Sequence, residues 1–301
     1  MNDSLTENNM FTSLSKIKSI VINSVMASVL FAVLVCAKSY AADFDHGFDN
    51  YNQLLAHVVQ VSDDKKQTRV KYQQLVLKKD ALERALSAFS SVTKSQYDGW
   101  NEQQQLSFLI NAYNGYTLKL IVDNWEQFKQ GDAQSIRDLG SFFSSPWSKK
   151  FFNLLDKKHN LDDIEHEMIR QWFKEPRIHA ALVCAAVSCP PLRNEAFTAD
   201  NLNAQLDSQM HLFLADNSRN EIIVKGQQGE ASLSSIFQWY REDFEKGQQG
   251  FSSLYDVLNM YSDALVDSDS NAQIQRDIIK KGNYPITFKD YDWRLNDVAN
   301  F

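Results

Sequence analysis

Glycine and proline are scarce in this chain, with ten and five residues respectively among 301. Because these two residue types mark turns and linkers, their scarcity excludes a Gly-rich or Pro-rich spacer and gives no signal for a domain boundary. No internal repeat is present either. With 44% hydrophobic and 12% aromatic residues, the composition predicts a globular protein, and we expect residues 42–301 to form a single domain.

Basic side chains are also in the minority, with 31 Lys and Arg against 38 Asp and Glu and a formal net charge of −7. An acidic surface does not supply the positive charge on which binding to nucleic acid or to an anionic membrane depends. We therefore expect neither as a partner. The predicted partner is an unidentified small molecule or peptide.

Only one long hydrophobic run is present, and it lies near the N-terminus. Lys16 and Lys18 precede an apolar stretch over residues 20–35, and residues 39–41 place small side chains at the two positions that signal peptidase reads. A retained membrane anchor is the alternative, but the run is shorter than the roughly 20 apolar residues of a membrane span. We predict that residues 1–41 are a cleaved secretory signal. The mature chain then has no stable membrane span and is periplasmic or secreted.

Apolar residues at helical spacing dominate the rest of the chain. Asn101 with Gln104 forms a predicted capping box that opens a long helix, and Asp162 with Glu165 predicts the start of a short one. The strand-like segments are few: residues 69–72, 151–155, 177–184, 221–224 and 284–293. Pro285 limits the last of these to a sheet edge or a strand start. The pattern predicts an α+β fold, helix-rich and built around a small antiparallel or mixed sheet.

Cysteine is rare, and Cys36 would leave with the predicted signal. The other two lie in residues 177–193, the stretch that gathers most of the reactive side chains. Those side chains are Arg177, His179, Cys184, Cys189 and Arg193. The same residues fit a thiol active site, a small disulfide loop or a binding pocket, so the stretch locates a site without defining its chemistry.

A disulfide between Cys184 and Cys189 is the simplest interpretation of the cysteines. Their number is even after signal removal, and exported proteins fold where disulfides persist. So short a loop would be stabilised by less than the roughly 3 kcal/mol of a 15-residue loop, and its effect would be local. Two buried, unreactive thiols remain the alternative.

Five blocks of sequence, in order along the chain, resemble the domain-of-unknown-function 547 family. The blocks are Phe108–Asn114, Leu161–His166, Arg177–His179 with Ser188–Arg193, Trp239–Tyr240 with Asp243–Phe244, and Tyr291–Asn296. The resemblance covers about residues 100–300. It implies a bacterial exported protein, because bacterial members are largely predicted to be exported, whereas plant relatives carry the domain behind a coiled coil. It brings no established reaction with it.

Thiol catalysis would need a cysteine, Cys184 or Cys189, beside an imidazole that takes its proton. His179 or His166 would be the base. Asp292 would orient His179 if the C-terminal strand pairs with the strand over residues 177–184, as the His and Asp strands do in papain-like and transglutaminase-like enzymes. This hypothesis gives a cysteine-dependent hydrolase or acyl transferase acting on peptide or amide bonds.

Two features argue against that reaction. Papain-like enzymes place the cysteine before the histidine and at a helix start, whereas here both cysteines follow His179. Pro190 and Pro191 also have no amide hydrogens, so a helix beginning there would stabilise a Cys189 thiolate little. A ligand- or substrate-binding module is therefore the first hypothesis and the hydrolase the second.

Asn111 and Asn114 lie on the long helix, where a buried amide must find hydrogen-bond partners. They either tie the helix to a neighbouring backbone or line a pocket beneath His179. The resemblance favours the pocket slightly, because both residues belong to its blocks. The aromatic side chains Tyr113, Tyr116 and Trp125 are predicted to belong to the core.

Arg177 and Arg193 are suited to binding a carboxylate or phosphate, but the excess of acids favours ion pairs with Asp243, Asp292 or Glu165. Glu165 and His166 are the other candidate binding residues, although His166 can also hydrogen-bond Asp162 and Arg170 on its own helix. A metal site would require His159, His166 and His179 to converge from distant elements. No His-Glu-x-x-His spacing supports one, so we predict no metal and no cofactor.

Overall fold

The structure is a computed structural model and describes residues 44–141, 144–226, 228–266 and 271–300. The predicted signal peptide and Cys36 lie outside the described residues. Within the ranges described, no helix is both long and apolar enough to cross a membrane. Contacts group the residues from Asp45 onward into one compact unit.

Helices make up most of residues 44–130. The elements are α1 (Asp49–Val58), β1 (Val59–Val61), β2 (Thr68–Val70), α2 (Tyr72–Leu77), α3 (Lys79–Ser90), α4 (Lys94–Asp98), α5 (Glu102–Asp123) and α6 (Trp125–Gln130). The predicted capping box opens α5, since Asn101 Oδ1 accepts from the Gln104 N–H at 2.9 Å and Gln104 Oε1 accepts from the Asn101 N–H at 3.1 Å. Strands β1 and β2 pair antiparallel.

Helix α5 is the central element of this half, because every residue from Leu106 to Leu118 is buried. A helix that is covered on all sides must pack its neighbours closely. Gly115 permits this on one side: a Cβ there would lie 2.9 Å from a methyl carbon of Leu86 on α3. The central position of α5 brings residues 111–114 beside the candidate site.

A short 3₁₀-helix (Ile136–Leu139) and then a β-hairpin follow. The hairpin joins β3 (Phe152–Leu154) to β4 (Lys157–His159) through Leu155 and Asp156, both with positive φ, as a tight hairpin turn requires. The next helix is a π-helix over Asp163–Ile169 that continues into α7 (Arg170–Trp172). The predicted cap was wrong: Asp162 makes no capping hydrogen bond, and Asn160 Oδ1 accepts from the Asp163 N–H at 2.7 Å instead.

The strand predicted over residues 177–184 was also wrong. A 3₁₀-helix spans Pro176–Ala180, and Glu175 Oε1 accepts from the Arg177 N–H at 3.1 Å at its start. A short apolar run fits a buried strand and a buried helical turn equally well, and Pro176 in the first turn favours the helix. The pairing predicted with the C-terminal segment occurs later, where Ala186 and Leu295 form an antiparallel bridge.

The second half alternates helices with one three-stranded sheet. Its elements are a 3₁₀-helix (Ala199–Asn201), α8 (Leu202–Leu214), β5 (Glu221–Lys225), β6 (Gln228–Ser234), α9 (Ser235–Trp239), α10 (Arg241–Phe244), α11 (Leu254–Met260), α12 (Ser262–Leu265), α13 (Ala272–Lys281), β7 (Ile286–Lys289) and a 3₁₀-helix (Val298–Asn300). The sheet order is β5-β6-β7, with β5 antiparallel and β7 parallel to β6. The predicted helix-rich α+β class with small antiparallel and mixed sheets is thus confirmed.

Strand β7 is shorter than predicted and begins after Pro285, at the edge of the sheet. The chain after it is held by backbone hydrogen bonds to three distant segments. The Val187 N–H donates to the Arg294 carbonyl at 2.8 Å, the Leu295 N–H to the Gln134 carbonyl at 2.8 Å, and the Val70 N–H to the Asn296 carbonyl at 2.9 Å. These bonds place Tyr291 and Trp293 beside the π-helix and α9.

Candidate ligand-binding pocket

A pocket of about 200 Å³ lies between the π-helix, the turn after the Pro176–Ala180 helix, α9 and the C-terminal segment. Its wall is mostly aromatic and carries two carboxylates. The lining residues are Tyr113, Trp147, Asp162, Glu165, His166, His179, Leu182, Cys184, Ile236, Trp239, Tyr240, Tyr291 and Trp293. Of the ten predicted site residues, four line this pocket: Glu165, His166, His179 and Cys184.

A larger surface groove of about 800 Å³ lies elsewhere, among α2, α6 and residues 294–300. None of the predicted site residues lines it. We place the candidate site in the smaller pocket because the titratable and sulfur-bearing side chains converge there.

His179 is buried at the pocket and paired with a carboxylate. Its Nε2 lies 2.8 Å from Asp243 Oδ2, and its ring stacks on Tyr240 with the centroids 3.8 Å apart. Burial lowers the pKa of His179, against the opposing effect of Asp243. A neutral imidazole that donates from Nε2 to Asp243 keeps its lone pair on Nδ1, and this tautomer is assigned from the hydrogen-bond network. His179 is thus suited to accept a proton or a hydrogen bond.

Asp243 is held in its ionised form by three donors. Besides His179, Arg170 Nε donates to Oδ2 at 2.6 Å and Lys246 Nζ to Oδ1 at 3.0 Å. Burial acts to raise the pKa of Asp243, but the hydrogen bonds from His179, Arg170 and Lys246 outweigh it and hold the pKa well below its ordinary value. Asp243 therefore stays charged and fixes the orientation of His179.

Glu165 supplies a buried carboxylate to the pocket. Tyr240 donates to Glu165 Oε1 at 2.6 Å. Burial, and after it the Glu165 charge, raises the pKa of both Tyr240 and Tyr113, so both phenols remain protonated. Asp162 is half-buried in the same wall, and burial raises the pKa of its carboxyl group.

His166 is half-exposed at the rim and has the helix neighbours expected from its spacing. Its Nδ1 accepts from Arg170 Nη1 at 3.1 Å, and its Nε2 lies 3.9 Å from Asp162 Oδ1. These contacts connect the rim to Asp243, because Arg170 donates to both side chains.

An aromatic cluster, Trp147, Trp239, Tyr291 and Trp293, forms the outer wall. The rings of Trp239 and Trp293 stack with centroids 5.8 Å apart, and the Tyr291 ring lies 4.8 Å from Trp239 and 4.6 Å from Trp293. Trp147 meets Trp293 edge-on at 6.0 Å. Trp239 remains 48% exposed, which is unusual for so large an apolar side chain and marks it as a contact surface.

The two cysteines differ in their exposure. Their sulfur atoms are at disulfide distance, with the Cα atoms 6.2 Å apart. Cys184 is half-buried and lines the pocket, whereas Cys189 is buried. This geometry fits the small disulfide loop that the sequence predicted for Cys184 and Cys189.

Asn111 and Asn114 do not line the pocket, so the slight preference for that interpretation was wrong. Asn111 bonds Phe197, donating to its carbonyl at 2.7 Å and accepting from its N–H at 2.9 Å. Asn114 donates to the Ala181 carbonyl and accepts from the Val183 N–H, both at 2.9 Å. Each amide thus supplies the hydrogen-bond partners of buried backbone groups that no neighbouring strand pairs: Asn111 at residue 197, and Asn114 at residues 181 and 183.

Arg177 and Arg193 also lie outside the pocket lining. Arg177 is buried and donates to Glu175 at 2.6 Å and to Asn203 at 2.8 Å. Arg193 forms an ion pair with Glu195. An ion pair was predicted for each, but the acids were wrong: they are not Asp243, Asp292 or Glu165, and each lies two positions away in the sequence.

Asp292 does not contact His179, and the predicted pairing between them was wrong. It is partly exposed and pairs with Arg294 at 2.5 Å, while its own N–H donates to Ser188 Oγ at 2.9 Å. The partner of His179 is Asp243 on α10, four positions after Trp239 at the end of α9. In the sequence, the one indication that Asp243 has a role in the site was its place in the block Asp243–Phe244.

Residues 97–214 match the model of a family described as a protein of unknown function, DUF547. The match supports the DUF547 resemblance over this part of the chain. It includes Trp147, Glu165, His166, His179 and Cys184 of the pocket, but it ends before α9 and the C-terminal segment, which supply Trp239, Tyr291 and Trp293. Neither a curated protein nor a solved structure is significantly similar to the chain.

Among the residues that the structure describes, no group of three or more His, Cys, Asp or Glu side chains is arranged to hold a metal ion. His159, His166 and His179 stay on separate elements: His159 pairs with Asp163 at 2.8 Å, and His179 pairs with Asp243. The pocket therefore presents aromatic rings, two carboxylates, the imidazoles of His166 and His179, and the Cys184 sulfur atom to a ligand.

Proposed function

We propose that this protein is an exported binding module that holds a small organic cation in the aromatic pocket. The observation that carries the proposal is the combination of aromatic rings with two carboxylates in one small cavity. Export is supported by the N-terminal signal pattern in residues 1–41 and by the disulfide geometry of Cys184 and Cys189.

The charge of the lining favours a cation. Asp162 and Glu165 are the acidic residues of the lining, and the lining contains no Lys or Arg. Because burial raises the pKa of Asp162, a bound positive charge would favour its ionised form and strengthen the attraction. The same two carboxylates would repel a ligand that carries a carboxylate group.

The aromatic rings supply the second part of the recognition. A cation over the face of a Trp or Tyr ring gains about 2 kcal/mol or more when water is removed, and aromatic cages bind quaternary ammonium groups in this way. Trp239 offers an exposed ring at the entrance, and Tyr240 lies deeper against His179. A cavity of about 200 Å³ fits a headgroup with few heavy atoms.

Calorimetric titration of the purified protein with choline tests the proposal. The matched ligand is the uncharged analogue in which a tert-butyl group replaces the trimethylammonium group, so that shape is kept and charge is lost. We expect choline to bind at least about tenfold more tightly, a difference of about 1.4 kcal/mol. Equal affinity for the two ligands, or binding of neither, would contradict a cation site.

Two tryptophan variants locate the site. Trp239→Ala removes an exposed ring of the pocket, and we expect choline affinity to fall by roughly tenfold. Trp172→Ala is the matched control, because Trp172 is similarly exposed at 46% and lies outside the pocket lining. A loss of affinity in both variants would place the binding elsewhere.

A cysteine-dependent hydrolase or acyl transferase is the second candidate, and it is favoured by one observation. Cys184 and His179 line the same pocket, and Asp243 orients the imidazole. The reaction would require the Cys184–Cys189 bond to be reduced first, because a disulfide sulfur is not a thiolate. Hydrolysis of amide or thioester substrates by the reduced protein, lost in Cys184→Ser, would favour this candidate over the binding module.

A further inference from the structure

The loop that joins the two cysteines has a conformation that an alanine rarely adopts. Ala185 has φ of 61°, a left-handed conformation in which the Cβ of a residue other than glycine crowds the following carbonyl oxygen. Such a conformation persists only when the surroundings impose it, and it is found often at functional sites.

The conformation directs two amide hydrogens at one sulfur atom. The Cys184 N–H donates to Cys189 Sγ at 3.0 Å, and the Ala186 N–H donates to the same atom at 3.4 Å. Successive N–H groups around a left-handed residue form a concave site for an anion. Tyr291 adds a third donor that both sulfur atoms share, since its hydroxyl lies 3.3 Å from Cys189 Sγ and 3.2 Å from Cys184 Sγ.

A disulfide sulfur accepts hydrogen bonds weakly, so three donors around it gain little in the oxidised state. A thiolate at the same position would accept all three bonds as charge-assisted ones, which are roughly twice as strong. Arg219 also donates to the Val187 carbonyl of the same loop at 2.6 Å, while its charge is paired with Asp216. The surroundings of Cys189 therefore match its reduced, charged form better than its oxidised form.

The two sulfur atoms differ in their exposure to the pocket, and this difference decides which one an incoming thiol can attack. Cys184 faces the pocket and is half-buried, while Cys189 is 1% exposed. An incoming thiol can reach Cys184, and Cys189 is then the leaving group. Thiol–disulfide exchange is faster when the leaving sulfur is a more stable thiolate.

We propose that Cys184 and Cys189 form a redox-active pair that oxidises a small thiol entering the pocket. A thiolate of the substrate attacks Cys184 Sγ, the bond between the cysteines breaks, and its electron pair leaves on Cys189 Sγ. A second substrate thiolate attacks the mixed disulfide at the substrate sulfur and releases Cys184 as a thiolate. Two thiols become one disulfide, and the cysteine pair gains the two electrons. The reaction stands on the sulfur geometry alone and does not require the cation site.

The first experiment measures the thiol pKa of each cysteine separately, by the ultraviolet absorbance of the thiolate in a Cys36→Ala chain. In Cys184→Ser the remaining Cys189 should titrate clearly below the ordinary value of about 8.5. In the matched Cys189→Ser variant, Cys184 keeps the Tyr291 contact but lacks the two amide donors, so its thiol pKa should lie above that of Cys189. A Cys189 pKa at or above the ordinary value would overturn the proposal.

The second experiment keeps both cysteines. The folded Cys36→Ala chain is equilibrated with mercaptoethanol and its disulfide, and reduction is followed by alkylation and mass spectrometry while circular dichroism monitors the fold. We expect complete reduction of the folded protein by millimolar thiol. Reduction only after unfolding would identify a structural disulfide and overturn the proposal.

Tyr291→Phe keeps the ring and removes the third donor. We expect it to make the pair roughly tenfold harder to reduce, as the loss of one charge-assisted hydrogen bond predicts. Tyr255→Phe is the matched control, because it also removes one tyrosine hydroxyl, but this hydroxyl donates to the Tyr284 carbonyl at 2.8 Å and not to a cysteine sulfur. Equal midpoints for the three proteins would remove Tyr291 from the mechanism.

A pair of charged thiols separates this proposal from the cation site. At equal thiolate concentration, cysteamine should reduce the pair faster than mercaptopropionate if Asp162 and Glu165 attract cations into the pocket. Equal rates with complete reduction would contradict the cation site and leave the redox pair supported. Failure of mercaptoethanol and cysteamine alike to reduce the folded protein would contradict the redox pair.

Discussion

Neighbouring positions on helix α5 use buried polar groups in opposite ways. The side-chain amides of Asn111 and Asn114 each donate one hydrogen bond to the backbone and accept one from it, at 2.7 to 2.9 Å, Asn111 at residue 197 and Asn114 at residues 181 and 183. Tyr113, between them in the sequence, turns toward the pocket and the Glu165 carboxylate. Asparagines in a sequence motif look like site residues, yet here they bond the backbone of neighbouring segments. Tyr113 is buried, as predicted for a core residue, and it also lines the pocket.

The largest expected effect tests the structural side of this comparison. Asn114→Ala leaves the Ala181 carbonyl and the Val183 N–H buried without their partner, and each such group costs about 1 to 3 kcal/mol. We expect the free energy of unfolding to fall by about 3 kcal/mol, measured by urea denaturation. In the control Asn124→Ala, one partly buried bond to the Leu120 carbonyl is lost, and the loss should stay near 1 kcal/mol. Equal losses would mean that the Asn114 contacts are not special.

A smaller effect tests the pocket side. His179→Ala removes the imidazole that lines the pocket, and we expect choline affinity to fall by roughly tenfold, or about 1.4 kcal/mol. His159→Ala is the control, because His159 pairs with Asp163 away from the lining. Circular dichroism confirms that both variants are folded. Equal effects of the two substitutions on binding would contradict the assignment of His179.

The smallest effect is a pH dependence of stability. Burial lowers the pKa of folded His179, so the unfolded chain binds this proton first as pH falls below about 6.5. The stabilisation is complete above that pH and decreases below it, by no more than about 1.4 kcal/mol per pH unit. Below about pH 4, Asp243 adds a second loss of the same sign, because its folded pKa is also depressed. Urea unfolding at several pH values measures both.

Comparison with His179→Gln isolates the histidine in that measurement. The variant should lose the decrease just below pH 6.5 and keep the decrease at lower pH. An unchanged profile would show that another group titrates there.

Local signals in the sequence were sufficient for much of the fold. The capping box at Asn101 and Gln104, the strand after Phe151 and the strand at Glu221 all depend on neighbours within a few positions, and all are present. The segment over residues 177–184 failed because an apolar run has no period that separates a strand from a helical turn. Its true conformation depends on Glu175 and Pro176, which precede the run.

The site was predictable only in part, for the same reason. The sequence located His179 and Cys184, which lie in one short stretch. It could not pair His179 with Asp243, 64 positions later, because two carboxylates of the same blocks, Asp243 and Asp292, were equally available. The outer aromatic wall depends on a C-terminal segment whose contacts are non-local, and no local pattern distinguishes a tryptophan of a pocket from one of a core.

That C-terminal segment has a consequence for the order of folding. Tyr291 and Trp293 are positioned by backbone bonds to residues 70, 134 and 187, so each bond closes a chain of more than 100 residues. Contacts of such long range form slowly. Ribosomal synthesis also delivers this segment after all of its partners. The helices around α5 can therefore assemble while the pocket is still open, and the ability to bind a ligand should be the last property that the newly made chain acquires.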